Sequence, residues 1–144
     1  MVVTDGNGVP LAVELESASP AEVKLAMRTL KKIRVARPFR GRPRTMRRIK
    51  RLVADKGYDS NELRAELAGM GIEPIIPAKK NNTVATNQDG RALRRYRNRW
   101  HIERTNAWLQ NFRRLFVRYD RLLTSFGGFV HLGCALITLR QVLK

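Results

Sequence analysis

Arg51 to Ile76 reads RLVADKGYDSNELRAELAGMGIEPII, and this stretch decides the fold. Arg51-Leu52-Val53-Ala54 is a short, mainly apolar run that stops at Asp55, as a buried strand does where it meets a loop. Asp59-Ser60-Asn61-Glu62 reads as a capping box, and Leu63, Leu67 and Met70 mark the apolar side of a helix closed by Gly69 and Gly71. Ile72 to Ile76 reads as a second short strand, with Pro74 assigning it to an edge. Strand, helix and strand in this order form the unit of a parallel sheet, so a single α/β domain is expected.

On the N-terminal side, residues 1–16 read as a hairpin. Met1 to Thr4 is one strand, Asp5-Gly6-Asn7-Gly8 carries turn chemistry, and Val9 to Glu16 returns with Val9, Leu11, Val13 and Leu15 alternating against a polar face. Ser19-Pro20-Ala21-Glu22 then opens a helix that ends near Lys31, with Val23, Leu25, Ala26 and Leu30 on its apolar side. Residues 37–48, broken by Pro38, Gly41 and Pro43, read as an extended basic loop.

On the C-terminal side, residues 79–90 are polar and read as a flexible loop. Residues 91–144 are expected to be helical, with one long helix from about Arg91 to Arg121, a break near Ser125-Phe126-Gly127-Gly128, and an apolar helix after it. Trp108, Leu109, Phe112, Leu115 and Phe116 form the expected core-facing side of the long helix. Leu122 to Leu139 has 18 residues without Asp, Glu, Lys or Arg, the lower edge of a membrane span. Its small and polar residues favour a helix buried on most sides, and no membrane partner is expected.

Composition limits the partners. In 144 residues there are 29 Lys and Arg against 12 Asp and Glu, a formal net charge of +17. Hydrophobic residues make up 43%, enough for a core, which excludes a wholly disordered basic tail. So large a cationic surplus implies a polyanion, with nucleic acid first. The surplus is concentrated: Arg28 to Arg51 holds 12 basic residues and no acid, among them Arg40, Arg42, Arg44, Arg47 and Arg48, which are expected to meet phosphates. The single cysteine, Cys134, lies in an apolar run, and the chain opens without the pattern of a signal peptide, so a cytoplasmic setting is expected.

Two places could carry chemistry. Asp55 stands where a strand ends, the edge at which ligands collect in open α/β sheets, though a carboxylate there also serves as a turn former. On the expected long helix, Tyr96, Arg99, Glu103 and Gln110 share one side, and Arg114 continues the stripe. Glu103 is the only acid between Asp89 and Asp120, in a segment with 10 basic residues from Arg91 to Arg121. It reads either as half of an intrahelical pair with Arg99, worth a few tenths of a kcal/mol, or as a metal-ligating carboxylate among phosphate-binding cations.

The string Tyr96-x2-Arg99-x3-Glu103, the upstream Ala54-Asp55-Lys56-Gly57-Tyr58-Asp59 and the downstream Glu103-Arg104-Thr105-Asn106-Ala107-Trp108-Leu109 resemble insertion-sequence transposases of the DDE class. The resemblance runs from the hairpin to the final helix. It implies a ribonuclease-H-like mixed sheet flanked by helices, and three acids that hold two divalent metals, Mg²⁺ or Mn²⁺. Asp55 would be the second acid and Glu103 the third. Lys56, Tyr96, Arg99, Arg113 and Arg114 would contact DNA, both transposon ends and target.

Two departures from the family pattern shape the expectation. Gln110 stands where the pattern has a lysine, seven positions after the glutamate, so Arg113 or Arg114 would have to supply that contact. The family's first catalytic acid lies on a strand before the hairpin with which this chain begins, and Asp5, the only acid before Glu14, sits in a turn. The expectation is therefore the C-terminal part of a transposase catalytic domain without its first strand, from a truncated gene or the second frame of a frameshifted one. Alone it would bind DNA, hold metal weakly and lack full activity, with itself or a full-length transposase as an oligomeric partner. The alternative is a basic DNA- or RNA-binding protein without catalysis, in which both acids are structural.

Overall fold

The computed structural model describes residues 1–16, 22–34, 49–81 and 90–143. The expected basic loop, the capping residues Ser19 and Pro20, and most of the 79–90 loop lie outside them, as do Arg40, Arg42, Arg44, Arg47 and Arg48. The described residues form a mixed α/β structure.

Strands β1 (Val2–Thr4) and β2 (Pro10–Val13) make the expected antiparallel hairpin, with the return strand shorter than its sequence suggests. Asp5 closes it: its Oδ1 accepts from the N–H groups of Asn7 and Val9, each at 2.8 Å. The hairpin has no polar face. Val3 belongs to one hydrophobic cluster, whereas Val2 and Val13 belong to another, so helices cover both sides. Even Glu14 is 5% exposed, its carboxylate against Lys32 Nζ at 2.5 Å and Arg28 at 3.7 Å.

Helix α1 (Glu22–Lys31) ends where expected and buries Leu25, Ala26, Met27 and Leu30. The deciding segment forms β3 (Arg51–Val53), a 3₁₀ turn over Lys56–Tyr58, α2 (Asn61–Gly69) and β4 (Glu73–Ile75). β3 and β4 are parallel, with Arg51 opposite Glu73 and Val53 opposite Ile75. β3 is less buried than its apolar run suggests, because β4 is its one strand neighbour among the described residues. Ser60 caps α2 by accepting from Leu63 N–H at 3.4 Å, but residue 63 is leucine, so the reciprocal bond of a capping box is absent. The C-terminus closes as a Schellman motif, with Gly71 N–H bonded to Ala68 and Ile72 N–H to Leu67, and Gly71 at φ +72°.

The long helix expected over residues 91–121 is broken. It forms α3 (Gly90–Leu93), a 3₁₀ segment (Arg94–Arg99), α4 (Trp100–Gln110) and α5 (Arg113–Phe116), after which the chain leaves the helix until α6 (Leu123–Val142). The expected break at Ser125-Phe126-Gly127-Gly128 is instead inside α6. There Gly127 packs on Leu15, and farther along Gly133 is approached so closely that an added Cβ would lie 2.9 Å from Leu115 and 3.2 Å from Leu109. These glycines serve close approach rather than a helix stop. Phe116 is 70% exposed, so the core side of this region is Leu109 with the half-buried Trp108, Phe112 and Leu115.

α6 buries one stripe, Gly127, Val130, Gly133, Cys134 and Ile137, and leaves Leu132, Leu136 and Leu139 exposed. The expectation of burial on most sides is therefore corrected to burial on one. The helix is long and apolar enough to cross a membrane by length and composition. Its buried stripe packs on α4, α5 and β2.

Two cores result. Val3, Ala26, Leu30, Leu63, Leu67 and Ile76 fill one between the strands and α1 and α2, and Val13, Leu109, Val130, Cys134 and Ile137 fill the other beside α4 and α6.

Candidate functional site

Asp55 stands two residues past the end of β3 and caps the 3₁₀ turn, its Oδ1 accepting from Lys56 N–H at 2.7 Å. The turn-forming role is thus present. It is not the whole role, because Tyr96 reaches across 41 residues to donate its hydroxyl to the same Oδ1 at 3.1 Å, and an Arg99 guanidinium nitrogen lies 2.9 Å from Oδ2. Arg99 also donates to Glu103 Oε1, four residues on. One guanidinium therefore joins the two carboxylates singled out in the sequence.

The helical stripe survives the change of helix type. In a 3₁₀ segment residues i and i+3 eclipse, which aligns Tyr96 with Arg99, and the first turn of α4 then presents Glu103 one turn later. Gln110 and Arg114 do not join them. Gln110 ends α4 exposed, and Arg114 lies over the Phe129 ring at 4.7 Å and 3.8 Å from Asp120. Arg113 and Lys56 are exposed.

Partial burial pulls the Asp55 carboxyl upward, but the Lys56 N–H, the Tyr96 hydroxyl and the Arg99 charge outweigh it and hold the group below its ordinary value. Burial and the bond to Asp55 push the Tyr96 phenol up. Burial would lower Arg99, but Asp55, Tyr96 and Glu103 hold it more firmly charged. A carboxylate with a depressed folded pKa stabilises the fold above its unfolded value, about 3.9, and that contribution is lost as pH falls through the folded one. A ¹³C titration of Asp55 is therefore expected to have its midpoint below about 3.9, and Tyr96→Phe to raise it. A native midpoint at or above that value contradicts this arrangement.

Glu103 is placed by a lock between α4 and the hairpin turn that sequence reading missed. The buried Thr105 hydroxyl lies 2.6 Å from Gly8 O, and Arg104 donates to Asn7 O at 2.7 Å. Gly8 has φ +83°, and an added Cβ would lie 3.0 Å from Thr105 Oγ1 and 3.2 Å from His101 O. Both the backbone and the contact require glycine. Gly8→Ala is expected to cost at least about 1 kcal/mol in urea unfolding, and an unchanged midpoint contradicts the lock. Arg104 is also sandwiched between Trp100, 4.5 Å from its ring centre, and Trp108, 4.7 Å. The spacing of four on either side was a readable signal for that stack.

Around the carboxylates lie further cations. Arg51 and Arg95 share Glu73, at 2.8 and 3.9 Å. Arg51, Arg95 and Arg99 line a cavity of about 790 Å³ with Asp55 and Glu103. As a divalent-metal site the donors fit in type, since carboxylate oxygens are hard ligands. They fall short in number: among the described residues no group of three or more acidic, His or Cys side chains is placed to hold a metal, and Asp5 uses its Oδ1 on its own turn.

Comparison with known proteins completes the picture. Residues 1–137 match the family model described as "Transposase DDE domain". A Burkholderia cepacia protein named "Putative transposase for insertion sequence element IS402" is 40% identical over 143 residues, covering 97% of this chain and 63% of that protein. A Brucella ovis protein named "Putative transposase for insertion sequence element IS6501" is 37% identical over 89 residues, covering 62% of this chain and 67% of that protein. The chain thus spans under two thirds of the length of the first relative. No solved structure matches it. The family acts with divalent metal ions, in keeping with carboxylates as its defining residues. With a family match over almost its whole length and two linked motifs converging on one site, this chain belongs to the transposase DDE domain family.

Proposed function

We propose that the chain is part of the ribonuclease-H-like catalytic domain of an insertion-sequence transposase, acting in the bacterial cytoplasm on transposon ends and target DNA in transposition and recombination. The observation that carries the reading is the convergence of Asp55, Tyr96, Arg99 and Glu103 from segments more than 40 residues apart. Asp55 and Glu103 are the divalent-metal ligands, with Mg²⁺ the natural ion and Mn²⁺ a substitute. When bound, paired ions of this kind activate the attacking oxygen and stabilise the leaving oxygen of a phosphodiester displacement.

The protein's own groups prepare that chemistry. Tyr96 and Arg99 fix the Asp55 carboxylate, and the lock of Thr105 on Gly8 fixes the helix bearing Glu103. Arg99 balances the charge of the two carboxylates and holds them together. Lys56, Arg113 and the exposed arginines of the 94–99 segment hold the DNA backbone, joined by Arg40, Arg42, Arg44, Arg47 and Arg48. Through Asp55 and Glu103 the chain holds ions weakly while it binds DNA, and a full-length transposase or a further copy is its natural partner in cleavage and strand transfer.

The test is duplex-DNA affinity at constant ionic strength with and without Mg²⁺. Mg²⁺ is expected to tighten binding by the native chain several-fold, and to leave an Asp55→Asn, Glu103→Gln double variant unaffected. Equal responses in both proteins would favour a non-enzymatic nucleic-acid-binding role.

A further inference from the structure

Between α5 and α6 the chain runs outside any helix over residues 117–122. At its start Phe116 is 70% exposed, and three residues on Tyr119 is 71% exposed, with Val117 and Leu122 exposed beside them. A single apolar residue at a surface carries no information, but an aromatic and apolar run does. Four arginines, Arg113, Arg114, Arg118 and Arg121, share this stretch with one acid, Asp120. The segment is held in place. Arg118 Nε donates to Asp120 O at 2.9 Å and its Nη2 to Arg121 O at 3.1 Å, which closes the chain around Tyr119. The largely buried Asp120 carboxylate lies 3.8 Å from Arg114, which covers the Phe129 ring at 4.7 Å, and Arg118 lies 5.5 Å from the Phe126 ring centre. Two arginines are thus committed to the turn and to inner rings, whereas among the described residues none covers Phe116 or Tyr119. Arg113 and Arg121 remain exposed.

We propose that Phe116 and Tyr119 form a stacking platform for the bases of an unpaired DNA strand, with Arg113 and Arg121 on its phosphates. A duplex offers such a surface only its backbone and groove edges, because the faces of its bases are already stacked on one another. An unpaired strand offers a base face to each ring and a phosphate to each cation. Chain reach keeps the Cα atoms of the two aromatic residues within about 11 Å, so one short strand can meet both rings. A neutral protein surface would leave the arginines without counter-charge on a chain of net charge +17. Binding in a membrane interface uses a helix with one apolar face, and residues 117–122 are not helical. The platform takes DNA as partner from the reading above, but it uses neither Asp55, Glu103 nor a metal ion.

The experiment measures the affinity of the full 144-residue chain, in EDTA at constant ionic strength, for three probes of equal length. They are a twelve-nucleotide dT strand, the same sugar-phosphate strand without bases, and a duplex. The native chain is expected to bind the dT strand at least tenfold more tightly than the abasic one, a comparison that needs no variant. Phe116→Ala or Tyr119→Ala should weaken binding of the dT strand about 5- to 150-fold and of the other two probes less than twofold, whereas Tyr119→Phe keeps the native affinity. Urea midpoints of all three variants should stay native, since both rings are exposed. Equal affinity for the dT and abasic strands overturns the proposal, and so does an equal loss on the dT strand and the duplex. A Tyr119→Ala defect confined to phosphatidylserine vesicles also overturns it, by making a membrane surface the partner. With duplex binding by the native chain intact, these results overturn the platform alone; no binding to any of the three probes overturns DNA as the partner as well.

Discussion

Asp59→Ala is expected to destabilise the protein by about 3–5 kcal/mol, a loss of at least a hundredfold in the folding equilibrium. Its carboxylate is fully buried, accepts from Arg64 Nε at 2.8 Å and from Lys79 N–H at 2.6 Å, and Arg64 in turn donates to Ile76 O at 2.6 Å. One side chain thus ties the start of α2 to the chain leaving β4. Truncation leaves the largely buried Arg64 cation with only the Ile76 carbonyl to answer it, and that uncompensated charge, more than the pair's own attraction, sets the cost. Small domains are stable by about 5–15 kcal/mol, so such a loss is a large share of the whole. Glu62→Ala, at an exposed position three residues away, is the control and should change stability by less than about 0.5 kcal/mol. Equal urea midpoints for the two variants contradict the buried-pair account.

DNA affinity is expected to fall by about 10³ to 10⁵ between 50 and 200 mM salt, the range for a protein that neutralises about six to ten phosphates. The net charge of +17 supplies enough cations, and their placement decides how many can act at once. Several are already committed: Arg64 to Asp59, Arg104 to two tryptophan rings, Arg114 to Asp120 and Phe129. Lys56, next to Asp55, and Arg94 and Arg97, in the 3₁₀ segment that carries Arg99, remain exposed. Arg97→Ala should therefore lower the magnitude of the slope of log affinity against log salt by about one, with little effect on stability. A change of less than tenfold over that salt range would show that the cationic surplus does not meet phosphates.

The strand, helix and strand of residues 51–76 were legible because each rests on local pattern: a short apolar run, a serine cap and a glycine at positive φ. The convergence of Asp55 with Tyr96, Arg99 and Glu103 was legible through helical spacing and the family resemblance, and it holds although part of that helix is 3₁₀. What failed depended on tertiary packing. Nothing local ends the helix after Gln110. The chain turns there because α6 must return against Leu109 and Phe112, and the glycines that read as a break are what let it come close. Asp59 read as a helix cap because its real partners, Arg64 and the Lys79 amide, are fixed only when β4 lies beside β3. The lock at Gly8 joins residues 97 apart, a distance that local pattern does not cross.

The central claim is that Asp55 and Glu103 form one divalent-ion site, and the most direct measurement is Mn²⁺-induced broadening of backbone amide signals in the 16.5 kDa chain. The account predicts that low Mn²⁺ selectively broadens residues around Asp55, Lys56 and Glu103, and that the Asp55→Asn, Glu103→Gln double variant loses the effect while keeping its fold. Broadening elsewhere, or unchanged broadening in the double variant, would contradict it.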